Sequence, residues 1–523
     1  MVTGPASIPA VVIAAPASGS GKTTVTTGLI GALRAAGHRV APFKVGPDYI
    51  DPGYHAVAAG RTGRNLDPNL VGADLIAPLF SWGTRGADIA VVEGVMGLFD
   101  GRITGIGADG SHDPDGGDRV GGDHLGGDPD SGDPNGIGST AHVAVLIGAP
   151  IILVVDAAGH SQSLAAVLHG FLGFSPTARI AGVILNRVGS PRHEAVLRQA
   201  CRRVGLPVFG VLHRDPSLTV PSRHLGLIPA AERSADAVAA VAAMTATVSA
   251  GLDVPAIVAA ARTRTAQSAP AWSPDDTLAE VRGPTDPPAA KPVIAVAAGA
   301  AFTFGYAEHA EMLRAAGAET IDIDPLIDRL PEGTAGVVLG GGFPEEHAAE
   351  LSSNTPLRED INALARSGAP IHAECAGLLY LCRELDGHPM AGVIDGVGRF
   401  GPRLTLGYRD AVAVADSVLY PAGSRVTGHE FHRSTVELVA AQPAWAWRDG
   451  TARPATDGIG AGSVHASYLH VHPVAVPRAI LRFVRAAERR ATQRVSPNTP
   501  AGIRPREPHI ATRRREESSH AGP

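Results

Sequence analysis

Cysteine is scarce in this chain of 523 residues. Only Cys201, Cys375 and Cys382 are present. Three cysteines are too few for a disulfide framework, and the odd count suits a reducing compartment. Long apolar runs are also missing, and the N-terminus enters an apolar strand without a charged start and a cleavage site. These absences predict a cytoplasmic protein without a membrane segment.

The negative charge of the chain is concentrated in one segment. The formal net charge is -6. Residues 103–137 alone hold eight Asp and one Arg, which gives that segment a net charge of about -7 by subtraction. The remainder is nearly neutral, so we expect no nucleic-acid-binding surface. The length suffices for two or three domains, and a hydrophobic content of 44% is ordinary for packed cores.

Short apolar strands, each followed by a loop or closed by a polar residue, recur along the first half of the chain. They cover residues 11–14, 88–93, 151–156 and 180–186. Such runs are typical of buried parallel strands, whose ligands bind beyond the carboxyl ends. A second α/β pattern starts at residue 292. The sequence therefore predicts two α/β domains, residues 8–262 and residues 292–487.

Three segments lack the periodic apolar residues that a core requires. Residues 103–137 are dominated by Gly and Asp and are predicted to be a disordered insertion. A Ca²⁺-binding β-roll is the alternative, but its regularly placed apolar residue is missing. Residues 263–291, rich in Pro, Ala, Ser and Thr, are predicted to be a linker, and residues 488–523 a disordered tail.

A glycine-rich loop lies between the first strand and the first helix. Residues 14–24 read AAPASGSGKTT, which matches the Walker pattern except that Pro16 replaces the first Gly. Backbone amides freed by the glycines would bind phosphate, Lys22 would reach the terminal phosphates, and Thr23 would bind Mg²⁺. The alternative is a small-residue turn of an unrelated Rossmann-like fold. The predicted ATP-binding residues are Gly19, Gly21, Lys22, Thr23, Thr24 and, by analogy only, Asn186.

Two acidic residues are candidates to complete a metal site with Thr23. Asp48 lies in the segment KVGPDYIDP, and Glu93 ends an apolar strand. Either could be a solvated loop carboxylate. The apolar and glycine-rich neighbours at residues 94–97 are an unusual setting for an idle charge, which favours a functional role for Glu93.

The second candidate site is built around Cys375. This cysteine follows the apolar residues 370–371 and precedes a helical run at residues 378–384. A sulfur at the start of a helix is expected to have a lowered thiol pKa. The alternative is a core cysteine, which is our interpretation of Cys382. The strand-turn-helix setting resembles a nucleophile turn.

A triple glycine at residues 340–342 offers backbone amides for an oxyanion hole at Gly341 and Gly342, although it could equally be only a tight turn. A chain that binds a nucleoside triphosphate and also attacks an amide with a thiolate can combine these two activities in one reaction. Glutamine would supply ammonia at one site, and ATP would activate a carboxylate at the other.

A general base for the thiol is also needed, and histidine is the common choice. His470 and His472 lie in the segment SYLHVHP. Because side chains alternate along an extended segment, both fall on the same side and spacing alone does not choose between them. His429 and His432 are further candidates, as bases, substrate contacts or a metal-binding pair.

Taken together, these motifs resemble the cobyrinate and hydrogenobyrinate a,c-diamide synthase family of corrinoid biosynthesis. The resemblance covers roughly residues 10–485 without the acidic insertion. It implies an N-terminal P-loop, parallel-sheet amidoligase domain related to dethiobiotin synthetase, followed by a class I-like glutamine amidotransferase α/β domain. The motifs that carry the resemblance are, in chain order, AAPASGSGKTT, PFKVGPDYIDP, NLD, VEGVMGLFDG, RHLG, GGGFPE, AEC, GHEFH and SYLH.

The resemblance also assigns roles to single residues. It implies Cys375 as the glutaminase nucleophile and His470 as its base, because related cobyric acid synthases have a Tyr-x-His-Gly segment whose histidine falls here. Two positions depart from the pattern: Ala376 replaces the usual Gly, and His472 stands where triad-bearing glutaminases have Glu. A Cys-His dyad, or a third member from elsewhere, is therefore expected. The predicted substrate contacts are Lys44, Tyr49 and Asp51.

The implied reaction is ATP-dependent amidation of the a and c acetates of hydrogenobyrinate or cobyrinate, with glutamine as the nitrogen source and Mg²⁺ as cofactor. The expected partners are the corrinoid, glutamine and ATP, without nucleic acid or membrane, and a homodimer is left open. Alternatives are a cobyric acid synthase, a nickel-sirohydrochlorin amidoligase and, outside the enzymes of this class, a P-loop regulatory or partition ATPase.

Overall fold

The structure, a computed structural model, describes nine stretches of the chain. The described residues are 8–102, 135–214, 222–223, 226–227, 234–265, 270–283, 291–439, 442–449 and 453–495. The predicted insertion at residues 103–137 therefore lies outside the described residues except for its last three. The predicted tail likewise lies outside them beyond residue 495.

The first domain is a seven-stranded parallel sheet covered by helices. Its strand order is β3-β2-β4-β1-β5-β6-β7. The strands are β1 (Ala10–Ala14), β2 (Val40–Val45), β3 (Arg64–Leu66), β4 (Ile89–Glu93), β5 (Ile151–Asp156), β6 (Ile180–Val188) and β7 (Val208–His213), with a separate hairpin of β8 (Ser222–Arg223) and β9 (Gly226–Leu227). The helices are α1 (Lys22–Ala35), α2 (Asp51–Ala59), α3 (Pro68–Val71), α4 (Ile76–Gly83), α5 (Thr140–Leu146), α6 (Leu164–Phe174), α7 (Pro191–Arg203), α8 (Ser234–Gly251) and α9 (Val254–Ala261).

The second domain has a core sheet and an extension that is antiparallel except for the parallel pair of β14 and β16. The core order is β11-β10-β12-β13-β21-β20, parallel except for the last pair, and the extension is β15-β14-β16-β18-β19 with β17 beside β16. The strands are β10 (Val293–Ala297), β11 (Glu319–Ile323), β12 (Thr334–Leu339), β13 (Ile371–Glu374), β14 (Cys382–Leu385), β15 (His388–Pro389), β16 (Ile394–Ala413), β17 (Arg425–Leu438), β18 (Trp445–Arg448), β19 (Pro454–Asp457), β20 (Ile459–Ala461) and β21 (Val464–Ser467). The helices are α10 (Pro274–Val281), before the domain, and α11 (Ala307–Ala315), α12 (Ala348–Ser353), α13 (Thr355–Arg366), α14 (Ala376–Leu381) and α15 (Pro477–Val495).

The central strands of both sheets are buried on both faces. Every residue of β1, β2, β4 and β12 is buried. Continuous Val- and Ile-rich runs fold in this way when helices cover both sides of a parallel sheet, because neither face then meets water. The predicted α/β class is confirmed. No helix in the described part of the chain is long and apolar enough to cross a membrane.

Some segment boundaries differ from the prediction. The predicted linker contains α10, and Trp272 and Leu278 are 5% and 1% exposed. These two apolar side chains anchor the segment despite its polar composition, and Trp272 packs edge-on against Trp82. Asn135, counted with the insertion, is buried and accepts a hydrogen bond from Ser175. Helix α15 continues to residue 495, past the predicted end of the domain.

The two domains share a tightly packed boundary. Buried apolar side chains of both domains belong to one continuous cluster. The Arg64 guanidinium of β3 lies 2.6 Å from a Glu308 carboxylate oxygen and 2.5 Å from a Glu311 oxygen on α11. Trp82 also donates to Glu311 at 3.0 Å. Strand β3 and helix α4 of the first domain are therefore joined directly to α11 of the second.

Candidate active sites

The phosphate loop connects β1 to α1. Gly19 and Gly21 have φ angles of 79° and 94°, in the left-handed region that favours glycine. Lys22 begins α1 and donates to the backbone oxygen of Met96. Burial and the neighbouring Lys44 ammonium lower the pKa of Lys22, and nearby carboxylates only partly offset this effect. A cation held in this position is well placed to bind phosphate oxygens.

Asn186 supports the loop from the neighbouring strand β6. Its Nδ2 donates to the backbone oxygen of Ser20 at 3.0 Å, and a Cβ on Gly21 would lie 2.3 Å from the same Nδ2. Gly21 is thus required both for its backbone angle and for this close approach. Thr24 is half-buried in the first turn of α1. The structure places Asn186 beside the loop, and its adenine contact stays a prediction.

Four polar side chains converge next to the loop. Thr23 Oγ1 donates to Glu93 Oε1 at 2.7 Å and lies 3.2 Å from Asp51 Oδ2. Lys44 Nζ donates to Asp51 Oδ2 at 2.6 Å and to Glu93 Oε1 at 2.9 Å. Lys44, predicted as a substrate contact, instead neutralises these carboxylates from a buried position. Its ammonium is not directed to solvent.

Asp48 has a different role from the one predicted. Its Oδ1 accepts the backbone N–H groups of Ile50 at 2.9 Å and Asp51 at 3.1 Å, which fixes the turn. Its other oxygen lies 3.4 Å from the Lys44 ammonium. Because Asp51, and not Asp48, lies beside Thr23, the geometry favours Asp51 as the metal ligand. The predicted roles of Asp48 at a metal and of Asp51 at the substrate stay predictions, and the positions of the two side chains support an exchange of these roles.

The donor set fits a magnesium ion. Thr23, Asp51 and Glu93 offer a hydroxyl and two carboxylates, and Mg²⁺ commonly binds one or two carboxylates together with substrate phosphates. Among the described residues, no group of three or more His, Cys, Asp or Glu side chains is arranged to hold a metal ion. The oxygen donors of Thr23, Asp51 and Glu93 are compatible with a metal that arrives together with a nucleotide.

Sequence reasoning missed His55. Its Nε2 lies 2.7 Å from Glu93 Oε2, and both side chains are fully buried. Burial would raise the pKa of Glu93, but Lys44 and His55 outweigh it and lower that pKa to about 2. The signal was present, because His55 follows Asp51 by four residues on α2 and so shares its helix face.

The nucleophile turn is formed at the end of β13. Cys375 has φ 50° and ψ -100°, an uncommon left-handed backbone for a residue with a Cβ, and α14 begins at the next residue. Its N–H donates to the Ser467 oxygen of the neighbouring strand β21 at 2.7 Å. This strained turn places the sulfur above the carboxyl edge of the sheet, as nucleophile elbows do.

The surroundings of Cys375 raise the pKa of its thiol, where the sequence predicted a lowered pKa. The backbone N–H groups of Gly342 and Ala376 face the Cys375 sulfur and lower its pKa. Burial is the larger effect, and together with the Glu345 carboxylate it raises the thiol pKa well above its usual range. The prediction of a lowered pKa is wrong for this arrangement. Thiolate formation therefore requires a base at the site.

Gly341 and Gly342 play different parts. The N–H of Gly341 donates to the Phe304 oxygen at 3.0 Å, so it is not available to an oxyanion. Its missing side chain instead makes room for the imidazole of His470. The geometry therefore favours Gly342 and Ala376 as the oxyanion amides. The structure corrects the prediction for Gly341 and adds Ala376.

His470 is paired with a carboxylate that the sequence analysis did not assign. His470 Nδ1 lies 3.6 Å from Glu374 Oε2, and the other Glu374 oxygen accepts the Val471 N–H at 3.2 Å. Burial raises the pKa of Glu374, but His372 and His470 outweigh it and hold that pKa well below its usual range. His470 Nε2 is buried and has no hydrogen-bond partner among the described residues. His470 is therefore a base whose Nδ1 faces Glu374 and whose Nε2 is unpaired among the described residues.

The remaining histidine candidates have other contacts. His472 Nδ1 accepts the Val474 N–H at 3.3 Å, and its ring packs on Tyr306 with centroids 4.2 Å apart. His432 stacks on Tyr468, whereas the His429 ring lies 5.3 Å from that of Tyr408. Neither the choice of His472 as base nor a shared metal site for the other pair is favoured by these contacts.

Tyr49, predicted as a substrate contact, lies buried at the domain boundary. Its hydroxyl is 2.7 Å from the Tyr306 hydroxyl, and its ring is 4.9 Å from that of His470. It therefore contacts the glutaminase half of the molecule from the nucleotide half. Its side chain is not open to a substrate in solution.

Comparisons with known proteins match this division. A family model described as the CobQ/CobB/MinD/ParA nucleotide binding domain matches residues 11–228. A model described as the CobB/CobQ-like glutamine amidotransferase domain matches residues 293–475. The predicted order of a P-loop domain and a glutamine amidotransferase domain is confirmed.

Similar full-length proteins span both domains. The chain is 58% identical over 478 residues to the hydrogenobyrinate a,c-diamide synthase of Mycobacterium tuberculosis (strain ATCC 25618 / H37Rv), covering 91% of this chain and 97% of that protein. It is 53% identical over 502 residues to the protein of the same name from Streptomyces coelicolor, with the same coverage of 91% and 97%. The cobyrinate a,c-diamide synthase of Gloeobacter violaceus is 40% identical over 486 residues, which cover 91% of this chain and 96% of that protein.

Proposed function

Because the chain belongs to the family of hydrogenobyrinate and cobyrinate a,c-diamide synthases, we propose that it amidates the a and c acetate side chains of hydrogenobyrinate in cobalamin biosynthesis. Ammonia comes from glutamine, and ATP activates each carboxylate. The relatives at 58% and 53% identity are named for hydrogenobyrinate, whereas the relative at 40% is named for cobyrinate. This order supports the metal-free macrocycle over the cobalt-containing one.

The glutaminase half-reaction uses the nucleophile turn. His470 takes the proton of the Cys375 thiol, and the sulfur attacks the side-chain carboxamide carbon of glutamine. The amides of Gly342 and Ala376 stabilise the negative oxygen of the tetrahedral intermediate. His470 returns the proton to the departing nitrogen, which leaves as ammonia, and water then cleaves the thioester to glutamate. Glu374 keeps the imidazole oriented through Nδ1.

The raised thiol pKa decides how this step proceeds. A buried thiol with a pKa well above the usual range is almost wholly protonated at neutral pH. Transfer of the thiol proton to His470 is therefore expected to accompany the attack on glutamine.

The amidoligase half-reaction uses the phosphate loop. Lys22 and the loop amides neutralise the phosphates while an acetate carboxylate of the macrocycle attacks the γ-phosphorus and ADP leaves. Mg²⁺, for which Thr23, Asp51 and Glu93 provide oxygens, would supply further charge neutralisation. Ammonia then attacks the acyl phosphate carbon, and inorganic phosphate is released. The same reaction steps are repeated at the second acetate side chain.

The observation that carries this proposal is the arrangement at Cys375, where the backbone amides of Gly342 and Ala376 face the sulfur. The imidazole of His470, paired with Glu374, lies against Gly341, the residue before Gly342. A regulatory or partition ATPase needs no such site. The experiment incubates the purified protein with hydrogenobyrinate or cobyrinate, ATP, Mg²⁺ and glutamine, and counts amide groups by mass spectrometry. We expect two amides per macrocycle and faster turnover of hydrogenobyrinate. Amidation of an a,c-diamide substrate at other side chains would indicate a cobyric acid synthase, and turnover of a nickel sirohydrochlorin would indicate that amidoligase.

A further inference from the structure

One short loop connects the two active sites. At its C-terminal end, Asp51 lies 3.2 Å from Thr23 Oγ1 and 2.6 Å from Lys44 Nζ, beside the phosphate loop. Two residues earlier, the Tyr49 ring packs against the imidazole of His470, with centroids 4.9 Å apart and planes at 33°. Residues 48–51 thus reach from the nucleotide site to the proposed glutaminase base.

The contact of Tyr49 with His470 is well defined. Tyr49 is 6% exposed, its ring stacks on Phe304 at 5.1 Å, and its hydroxyl lies 2.7 Å from that of Tyr306. His470 also contacts Gly341, which has no side chain that could move aside for the imidazole. A shift of the Tyr49 ring therefore changes the space that the imidazole occupies.

The hydrogen bonds of residues 48–51 couple the position of Asp51 to that of Tyr49. Asp48 Oδ1 accepts the N–H groups of both Ile50 and Asp51, so these residues form one hydrogen-bonded turn. Asp51 shares the Lys44 ammonium with Glu93 and Asp48. A nucleotide at Lys22 brings further negative charge to this set, and the Lys44 ion pairs must adjust. A displacement of Asp51 then reaches Tyr49 through a single stiff turn.

We propose that Tyr49 is a positioning residue of the glutaminase, and that through it the occupancy of the nucleotide site sets the rate of glutamine hydrolysis. The proposal rests on the function proposed above. Tyr49 holds the His470 imidazole against Gly341, and the turn of residues 48–51 adjusts this hold when ATP binds. Ammonia is then released mainly when a carboxylate can be activated to receive it.

The experiment compares three variants by rates of glutamine hydrolysis without ATP and with ATP, and by ammonium-dependent amidation. Tyr49→Leu removes the ring beside His470. Tyr49→Phe keeps that ring and removes only the hydroxyl pair. Tyr306→Leu is the control for general packing, because it removes a buried tyrosine of the same interface whose ring lies against Tyr49 and His472.

For Tyr49→Leu we expect kcat for glutamine hydrolysis to fall about tenfold with an unchanged KM for glutamine, because misplacement of a catalytic group costs rate more than binding. Its rate should no longer respond to ATP, whereas ammonium-dependent amidation and the thermal unfolding midpoint should stay near wild type. Tyr49→Phe and Tyr306→Leu should keep the wild-type response to ATP.

Each other result overturns the proposal. A wild-type glutaminase rate that ATP does not change removes the coupling, and a Tyr49→Leu protein with a wild-type kcat removes the positioning role. Equal losses in Tyr306→Leu mean that general packing at the interface is responsible. Loss of ammonium-dependent amidation in Tyr49→Leu places this residue in the other reaction. A wild-type protein that hydrolyses no glutamine would refute the proposed function itself, which is a separate outcome.

Discussion

The imidazole of His470 lies directly against the Cα of Gly341. A Cβ at position 341 would approach Cε1 of the imidazole to 2.4 Å and Nε2 to 3.1 Å. His470 is 1% exposed, so its ring is enclosed by neighbouring protein atoms. The glycine therefore contributes to the glutaminase through the space it leaves, not through its amide.

A methyl group at this position should displace the base. We expect Gly341→Ala to lower kcat for glutamine hydrolysis by about tenfold or more, because a shift near 1 Å misaligns proton transfer. Amidation with ammonium salts should persist. The matched control is Gly336→Ala on the preceding strand β12, where the nearest atoms are 3.3 Å from the new Cβ. A Gly341→Ala protein with wild-type glutaminase would contradict this account of the site.

The nucleophile assignment predicts a split between nitrogen sources. Cys375→Ser should lower glutamine-dependent amidation by at least about 10³-fold, because the thiol is the attacking group, and should leave ammonium-dependent amidation intact. Cys382→Ser is the control, since that buried sulfur only donates to the Leu378 oxygen at 3.3 Å. Mass spectrometry of the products measures both. Loss of both activities in a folded Cys375→Ser protein would argue against the assignment.

Glu374 is predicted to be the third member of the glutaminase site. Glu374→Gln should lower kcat for glutamine hydrolysis on the order of 10²-fold, because an amide orients the imidazole without stabilising its charged form. His472→Ala, which removes a histidine with different contacts, should keep most of the activity. Steady-state glutamate formation provides the measurement. Full activity in Glu374→Gln would mean that Cys375 and His470 act as a dyad.

The two aspartates of the connecting turn should behave differently. Asp51→Asn should lower amidation from either nitrogen source by at least about tenfold and raise the Mg²⁺ concentration required, because it removes a carboxylate beside Thr23. Asp48→Asn should retain most activity, since its amide oxygen can still accept the N–H groups of the turn. Initial rates over a Mg²⁺ titration test the pair. The reverse ranking would restore Asp48 as the ligand.

Residues within local motifs were predictable from the sequence. Lys22 follows from the spacing of the phosphate loop, and Cys375 from a strand that turns into a helix. Glu374 was not assigned, because its contact with His470 depends on how β13 packs beside the segment after β21. Whether Asp48 or Asp51 faces Thr23 likewise depends on the turn geometry, which composition does not encode.

The direction of the Cys375 pKa was missed for a similar reason. The start of a helix and its amides were visible in the sequence, and both lower a thiol pKa. The burial that outweighs them comes from elements distant in sequence, among them the strand that carries Phe431, whose oxygen accepts from the sulfur at 3.8 Å. Tertiary burial therefore reverses a local effect.

Asp67 should make stability depend on pH. It is 1% exposed, accepts from the Tyr408 hydroxyl at 2.9 Å, and burial raises its pKa to about 6 from 3.8. Because the folded state holds this proton more tightly than the unfolded state, its contribution is full below about pH 4 and is lost as the pH rises to about 6. The loss is at most about 3 kcal/mol.

The Asp67→Asn variant isolates this effect. We expect the wild-type protein to lose stability relative to Asp67→Asn between about pH 4 and pH 6, and the difference to level off above that range. Thermal unfolding midpoints of both proteins at matched pH values measure it, because all other groups titrate alike. A difference that does not change with pH would show that Asp67 has an ordinary pKa in the folded protein.

The ion pairs of Arg64 with Glu308 and Glu311 also limit how such enzymes can be recombined. A chimera joined within residues 263–291 would leave both sheets whole. It would lose the ion pairs of Arg64 wherever the new amidotransferase module lacks carboxylates at the positions of Glu308 and Glu311. A buried charge that loses its partner costs about 3–5 kcal/mol, a large part of the stability of a domain. Successful exchange of an amidotransferase module should therefore require matched changes on β3 and α11, so that the two halves are inherited as one unit.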